Sequence, residues 1–177
     1  MLKFIIILLI NVHLANANTE VGGSFSLIDQ HGKVVTDKSL HGKKTLLYFG
    51  YTFCPDFCPA TLNNLTLLLN EMPKNQVDKL NVVFVTVDPE RDTKQLLSEY
   101  MTNFDPHIKA LTGTKEQIND IVKKFKVYAA KVENAENPDL YTVNHTTIMF
   151  LFDENMKLIT AFPHDFKNTD VIQYLTQ

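Results

Sequence analysis

The sequence predicts an α/β sandwich in which a central sheet is covered by helices on both faces and carries a small N-terminal hairpin. Three runs, Leu46-Leu47-Tyr48-Phe49, Val82 to Val87 and Ile148 to Phe152, are apolar without alternation, the pattern of strands buried on both faces. Helical stretches lie between them, each with an apolar face at three- and four-residue spacing. With 177 residues, 45% of them apolar and 21% charged, the chain has material for one ordered domain. The net charge of -3 and the lack of any Lys/Arg cluster exclude a nucleic-acid surface.

Residues 1–17 read as a secretory signal peptide or short membrane-targeting segment, and residues 18–177 as the domain. Lys3 supplies a basic start, Phe4 to Ile10 an unbroken apolar run, and Ala15-Asn16-Ala17 a small-x-small cleavage site. The apolar run falls well short of the roughly 20 residues that span a bilayer. The domain is therefore expected outside the cytosol, where disulfides persist.

Gly22-Gly23 opens the domain, and Ser24 to Ile28 alternates polar and apolar as a half-buried strand does. Gln30 to Lys33 is a turn, and Val34-Val35 returns as the hairpin partner. Leu62, Leu65, Leu68, Leu69 and Met72 share a helix face, and Pro59 suits that helix's first position, where a missing N–H costs nothing. Leu96, Leu97, Tyr100, Met101 and Phe104 form a second apolar face, with Asp92 or Thr93 placed to cap it. Thr114 and Gln117 make a capping box ahead of Ile118, Ile121, Val122 and Phe125. Glu133 to Pro138 is a surface loop leading into Tyr141-Thr142-Val143, and a last helix covers about Thr169 to Leu175.

Cys54 and Cys58, the only cysteines, sit four apart between a buried strand and a helix. Near a helix N-terminus, unpaired N–H groups and the helix dipole stabilise a thiolate. Strand C-terminal ends are also where open α/β sheets place their ligands. A Cys-x-x-x-Cys turn brings the Cα atoms to about 6 Å, which a disulfide tolerates. The same pair can instead hold a soft metal, Cu(I) or Zn(II), with an imidazole as third ligand. A purely structural disulfide is the weaker reading, since so short a loop contributes only about 2 kcal/mol. The turn is also expected to leave the sulfurs at an accessible sheet edge. Among the histidines, His31, His41, His107 and His164 read as turn or loop residues. His145 stands apart, immediately before a buried strand.

Tyr51-Thr52-Phe53-Cys54-Pro55-Asp56-Phe57-Cys58-Pro59, Val87-Asp88-Pro89-Glu90-Arg91-Asp92-Thr93, Leu111-Thr112-Gly113-Thr114 and His145-Thr146 together resemble the Sco/SenC family. The resemblance runs from about Gly22 to the C-terminus, with the blocks in the family's order and spacing. It implies a thioredoxin-like three-layer sandwich with a central mixed sheet, and a copper site of Cys54, Cys58 and His145. It further implies copper as Cu(I), with Cu(II) as a second state, and delivery to the Cu(A) site of cytochrome c oxidase. The implied partners are the oxidase's copper-bearing subunit and an upstream copper or thiol donor. A monomer is expected in the periplasm or the equivalent intermembrane compartment, attached to or free of the inner membrane. Two departures stand out: Asn144 occupies the position where the family commonly has Asp, and the N-terminal apolar run is shorter than the usual anchor.

Two functions fit. As a metallochaperone, reduced Cys54 and Cys58 with His145 hold Cu(I), and oxidation of the pair excludes it; no turnover is required, so this is not an enzyme. As a thiol–disulfide oxidoreductase, Cys54 and Cys58 are the catalytic redox pair acting on the oxidase subunit or another exported target. The extra residue relative to Cys-x-x-Cys favours the metal, and a need for His145 separates the two.

Overall fold

The computed structural model describes residues 20–137 and 140–176; the proposed signal segment lies outside them. The elements run β1 (Ser26–Asp29), β2 (Val34–Thr36), a 3₁₀ turn (Asp37–Leu40), β3 (Lys44–Gly50), α1 (Phe57–Glu71), α2 (Lys74–Val77), β4 (Leu80–Thr86) and α3 (Lys94–Met101). They continue with β5 (Ile108–Thr112), α4 (Lys115–Lys124), β6 (Ala129–Val132), β7 (Thr142–His145), β8 (Met149–Phe152), β9 (Leu158–Phe162) and α5 (Asn168–Leu175). Among the described residues, seven strands form one mixed sheet in the order β2-β1-β5-β4-β3-β8-β9, and β6 and β7 form a separate ribbon. The β3–β4 and β4–β5 pairs are parallel, and the N-terminal hairpin joins the sheet by antiparallel pairing of β1 with β5. This is the expected three-layer α/β sandwich.

The unalternating runs have a direct cause. Successive residues of a strand face opposite sides, and both sides are core. Leu46, Tyr48, Val82 and Phe84 pack on one side with Leu62 and Leu65 of α1, Leu97 of α3 and Val171 of α5. Leu47, Phe49, Val83 and Val85 pack on the other with Ile118 and Ile121 of α4. Leu62 is fully enclosed, so Leu62→Ala would cost about 3 kcal/mol from lost burial plus the cavity left behind.

The capping box of Thr114 and Gln117 forms as predicted, and Thr93, not Asp92, caps α3 through its side chain. The start of α1 differs from the sequence expectation. The helix begins at Phe57, so Pro59 is its third residue. That position still falls in the first turn, where a helical N–H has no partner within the helix, and the proline is tolerated there.

Candidate metal centre

The cysteine turn joins the end of β3 to α1, at the C-terminal edge of the sheet. Starting α1 at Phe57 places Cys58 on the inward face of the first turn. Cys58 is completely buried and Cys54 is 8% exposed, so the sulfurs are less accessible than the sequence suggested. The Cys54 sulfur accepts from the Cys58 backbone N–H at 3.4 Å, taking the place of a capping oxygen for a donor that the helix leaves unpaired.

The space for the Cys58 sulfur exists because residue 50 is glycine. A Cβ on Gly50 would stand 2.7 Å from Cys58 Sγ and 2.7 Å from the Phe84 ring. On the core side, the Tyr48 hydroxyl donates to Cys58 Sγ at 3.7 Å. Burial pushes the Tyr48 phenol well above its ordinary range, so it keeps its proton and remains a donor.

His145 ends β7, and its Nε2 lies 3.4 Å from Cys58 Sγ. Its Nδ1 sits 2.9 Å from the Thr146 carbonyl. A carbonyl only accepts, so Nδ1 carries the hydrogen, and in the neutral ring Nε2 presents its lone pair to the sulfurs. The ring is oriented by main chain, while Asn144 is exposed on the opposite side of the strand. The Asp-to-Asn departure therefore leaves the imidazole's outer hydrogen bond intact. Tyr51 meets the His145 ring edge-on at 5.7 Å, and its phenol oxygen accepts from the Val143 N–H at 3.2 Å.

The two sulfurs and the imidazole nitrogen all lie within 4.8 Å of one another. The thiols share one proton unequally. The Cys58 thiol donates to the Cys54 sulfur, and together with the His145 imidazole and the backbone N–H groups of Cys58 and Asp56 this holds the Cys54 thiol well below the usual range, against the effect of burial. The same hydrogen bond, burial and the Cys54 charge push Cys58 up. The reduced centre is thus one thiolate, one thiol and one imidazole. That donor set suits a soft cation. A cavity of about 420 Å³ opens over Cys54 and His145, and Phe57 and Tyr128, which line it, are exposed.

The other described histidines stay apart from the centre. His31 and His41 are exposed, His107 pairs with Asp105 at 2.7 Å, and His164 meets the Phe57 ring at 4.7 Å. Asp92 is a buried hub: its carboxylate accepts from the Thr52 N–H at 3.0 Å, the Thr52 hydroxyl at 2.6 Å and the Thr86 hydroxyl at 2.6 Å. It thereby ties the cysteine loop to the end of β4. The sequence reads Asp92 as a candidate helix cap, within a stretch from Asp88 to Thr93 that is either structural or given to partner docking or site shaping. The roles of Gly50, Tyr48 and Tyr51 at the centre were not read, since a glycine and tyrosines beside a buried strand carry no local mark of what they touch.

A family model described as SCO1/SenC matches residues 14–177. The chain belongs to the SCO1/SenC family. An SCO2-like protein of Rickettsia typhi is 37% identical over 164 residues, which cover 93% of this chain and 80% of that protein. Among solved structures, Bradyrhizobium japonicum ScoI with copper bound is similar, at 40% identity and a TM-score of 0.82, covering 88% of this chain and 98% of that one. Yeast Sco1 with copper bound is 32% identical with a TM-score of 0.81, covering 89% of this chain and 90% of that one. The SCO1/SenC fold is the thioredoxin-like one expected.

Proposed function

We propose that this protein is a copper chaperone of cytochrome c oxidase assembly, which holds Cu(I) between Cys54, Cys58 and His145 and passes it to the Cu(A)-bearing subunit. The observation that carries this reading is the meeting of two sulfurs and an imidazole lone pair within 4.8 Å; copper bound in two similar SCO1/SenC structures supports it. Cu(I) displaces the proton shared by the sulfurs, and the imidazole completes a three-donor set without adding charge. A partner thiolate reaching the cavity over Cys54 and His145 can take the copper by ligand exchange. Loss of two electrons and two protons from the dithiol to a partner disulfide, which becomes a dithiol, would leave a Cys54–Cys58 disulfide unable to bind the metal. Redox state thus gates loading. We place the protein outside the cytosol, in the periplasm or an equivalent compartment, as its N-terminal sequence pattern suggests. No helix among the described residues is long and apolar enough to cross a membrane.

One observation favours a second role as a thiol–disulfide oxidoreductase: the centre pairs a stabilised thiolate, Cys54, with a protonated partner, Cys58, the arrangement of an attacking and a resolving thiol. Competition with a chromophoric Cu(I) chelator separates the two. A chaperone binds one copper tightly, loses it in Cys54→Ser/Cys58→Ser, and weakens at least about tenfold, or 1.4 kcal/mol, in His145→Ala. Weak binding that is indifferent to His145→Ala would leave only the reductase.

A further inference from the structure

Among the described residues, the ribbon that carries His145 shares no strand ladder with the sheet whose β3 leads into the cysteine turn. Something else must fix the distance between imidazole and sulfurs. Tyr141 and Val143 are buried and His145 half-buried, whereas Thr142 and Asn144 are exposed, as the two-residue period of a strand requires. Tyr141, Val143 and His145 therefore face the same way, toward the body of the protein.

We infer that Asp88, Arg91 and Tyr141 form a clasp that positions His145, and so set how strongly the centre holds its metal. This rests on the copper reading of the centre. The Tyr141 hydroxyl donates to Asp88 Oδ1 at 2.8 Å, and Asp88 Oδ2 pairs with Arg91 Nε at 2.5 Å. Arg91 Nη1 then returns to the ribbon by donating to the Tyr141 carbonyl at 2.9 Å. The guanidinium lies 3.5 Å from the centre of the Tyr141 ring, 4.7 Å from that of Phe53 and 5.7 Å from that of Tyr51. Phe53 and Tyr51 belong to the cysteine loop, so a single cation touches both halves of the centre. On the ribbon, Lys131 Nζ lies 3.8 Å from the Tyr141 ring centre, leaving the ring between two cations. Stacking and forked hydrogen bonding of this kind need a planar guanidinium, which lysine lacks. None of the three residues touches a sulfur or the imidazole; they are positioning residues.

The test is a double-variant cycle on the full chain, read as Cu(I) affinity by chelator competition. Arg91→Ala is expected to weaken copper binding about tenfold, the lower end for residues that orient a metal ligand. Tyr141→Phe removes only the hydroxyl and is expected to weaken it less. Both losses should vanish in a His145→Ala background, where no imidazole remains to position. Equal losses with and without His145, or none in either, would overturn the clasp. A copper-free arm follows amide exchange in Tyr141→Phe: exchange should quicken at Val143 and His145 and stay unchanged in α1, and a uniform change would overturn it. If the wild type binds no copper, the chaperone reading fails, and the exchange arm still decides the clasp.

Discussion

Cys58 Sγ and His145 Nε2 lie 3.4 Å apart although 87 positions separate them in the chain. The sulfur comes from the first turn of α1 and the nitrogen from the last residue of β7. Only the folded chain assembles the centre, and its affinity is therefore coupled to stability.

The room for the Cys58 sulfur depends on Gly50. Gly50→Ala would place a methyl 2.7 Å from both Cys58 Sγ and the Phe84 ring, and both groups are fully buried. We expect a loss of about 1–3 kcal/mol by urea unfolding, the usual cost of overpacking, together with weaker copper binding. Wild-type values for both would contradict this account of the site.

Copper affinity should rise with pH. Cys54 is held low and already ionised near neutrality, whereas Cys58 is pushed up and keeps its proton. Binding then releases one proton, and affinity should grow about tenfold per unit between roughly pH 7 and 9. Below the depressed Cys54 value a further proton enters and the dependence steepens. Chelator competition across this range checks it, and a flat profile would count against the proton assignment.

The same asymmetry predicts selective alkylation of the reduced, copper-free protein. At about pH 6 an ordinary thiol is almost wholly protonated, yet Cys54 is a thiolate with a partly open face. Iodoacetamide should modify Cys54 and spare the enclosed Cys58, as peptide mass spectrometry would show. Equal labelling would contradict the proposed pairing.

Asp92 anchors the cysteine loop at an electrostatic cost. Burial raises its carboxyl above the ordinary value, against the hydrogen bonds from Thr52 and Thr86. A raised carboxyl contributes stability that is full below the unfolded value, about 3.9, and is lost as pH rises through the folded one. Asp92→Asn should remove that decline and flatten the difference in unfolding free energy between mildly acid and neutral pH. Asp92→Ala instead strands three donors and should cost about 3 kcal/mol or more at neutral pH.

Much of this was legible in the sequence because the determinants are local. Unalternating runs marked β3, β4 and β8, and Thr114 with Gln117 marked the start of α4. Proline is a common first helical residue, which misplaced the start of α1; the Cys54 sulfur, acting as cap acceptor, moves it two residues earlier. β6 went unread because Ala129 to Val132 is short and exposed along half its length, leaving no periodicity. His145 was distinguishable from the other histidines by position, but its role followed from the family resemblance rather than from spacing. Gly50 and Tyr48 act on Cys58 through contacts that only the parallel pairing of β3 with β4 and the seating of α1 create.

The most direct test is X-ray absorption at the copper edge of the Cu(I)-loaded full chain, alongside His145→Ala. The account predicts two sulfur ligands and one imidazole nitrogen in the wild type, with the imidazole contribution lost in His145→Ala. A wild-type spectrum with sulfur ligands alone, unchanged by His145→Ala, would contradict it.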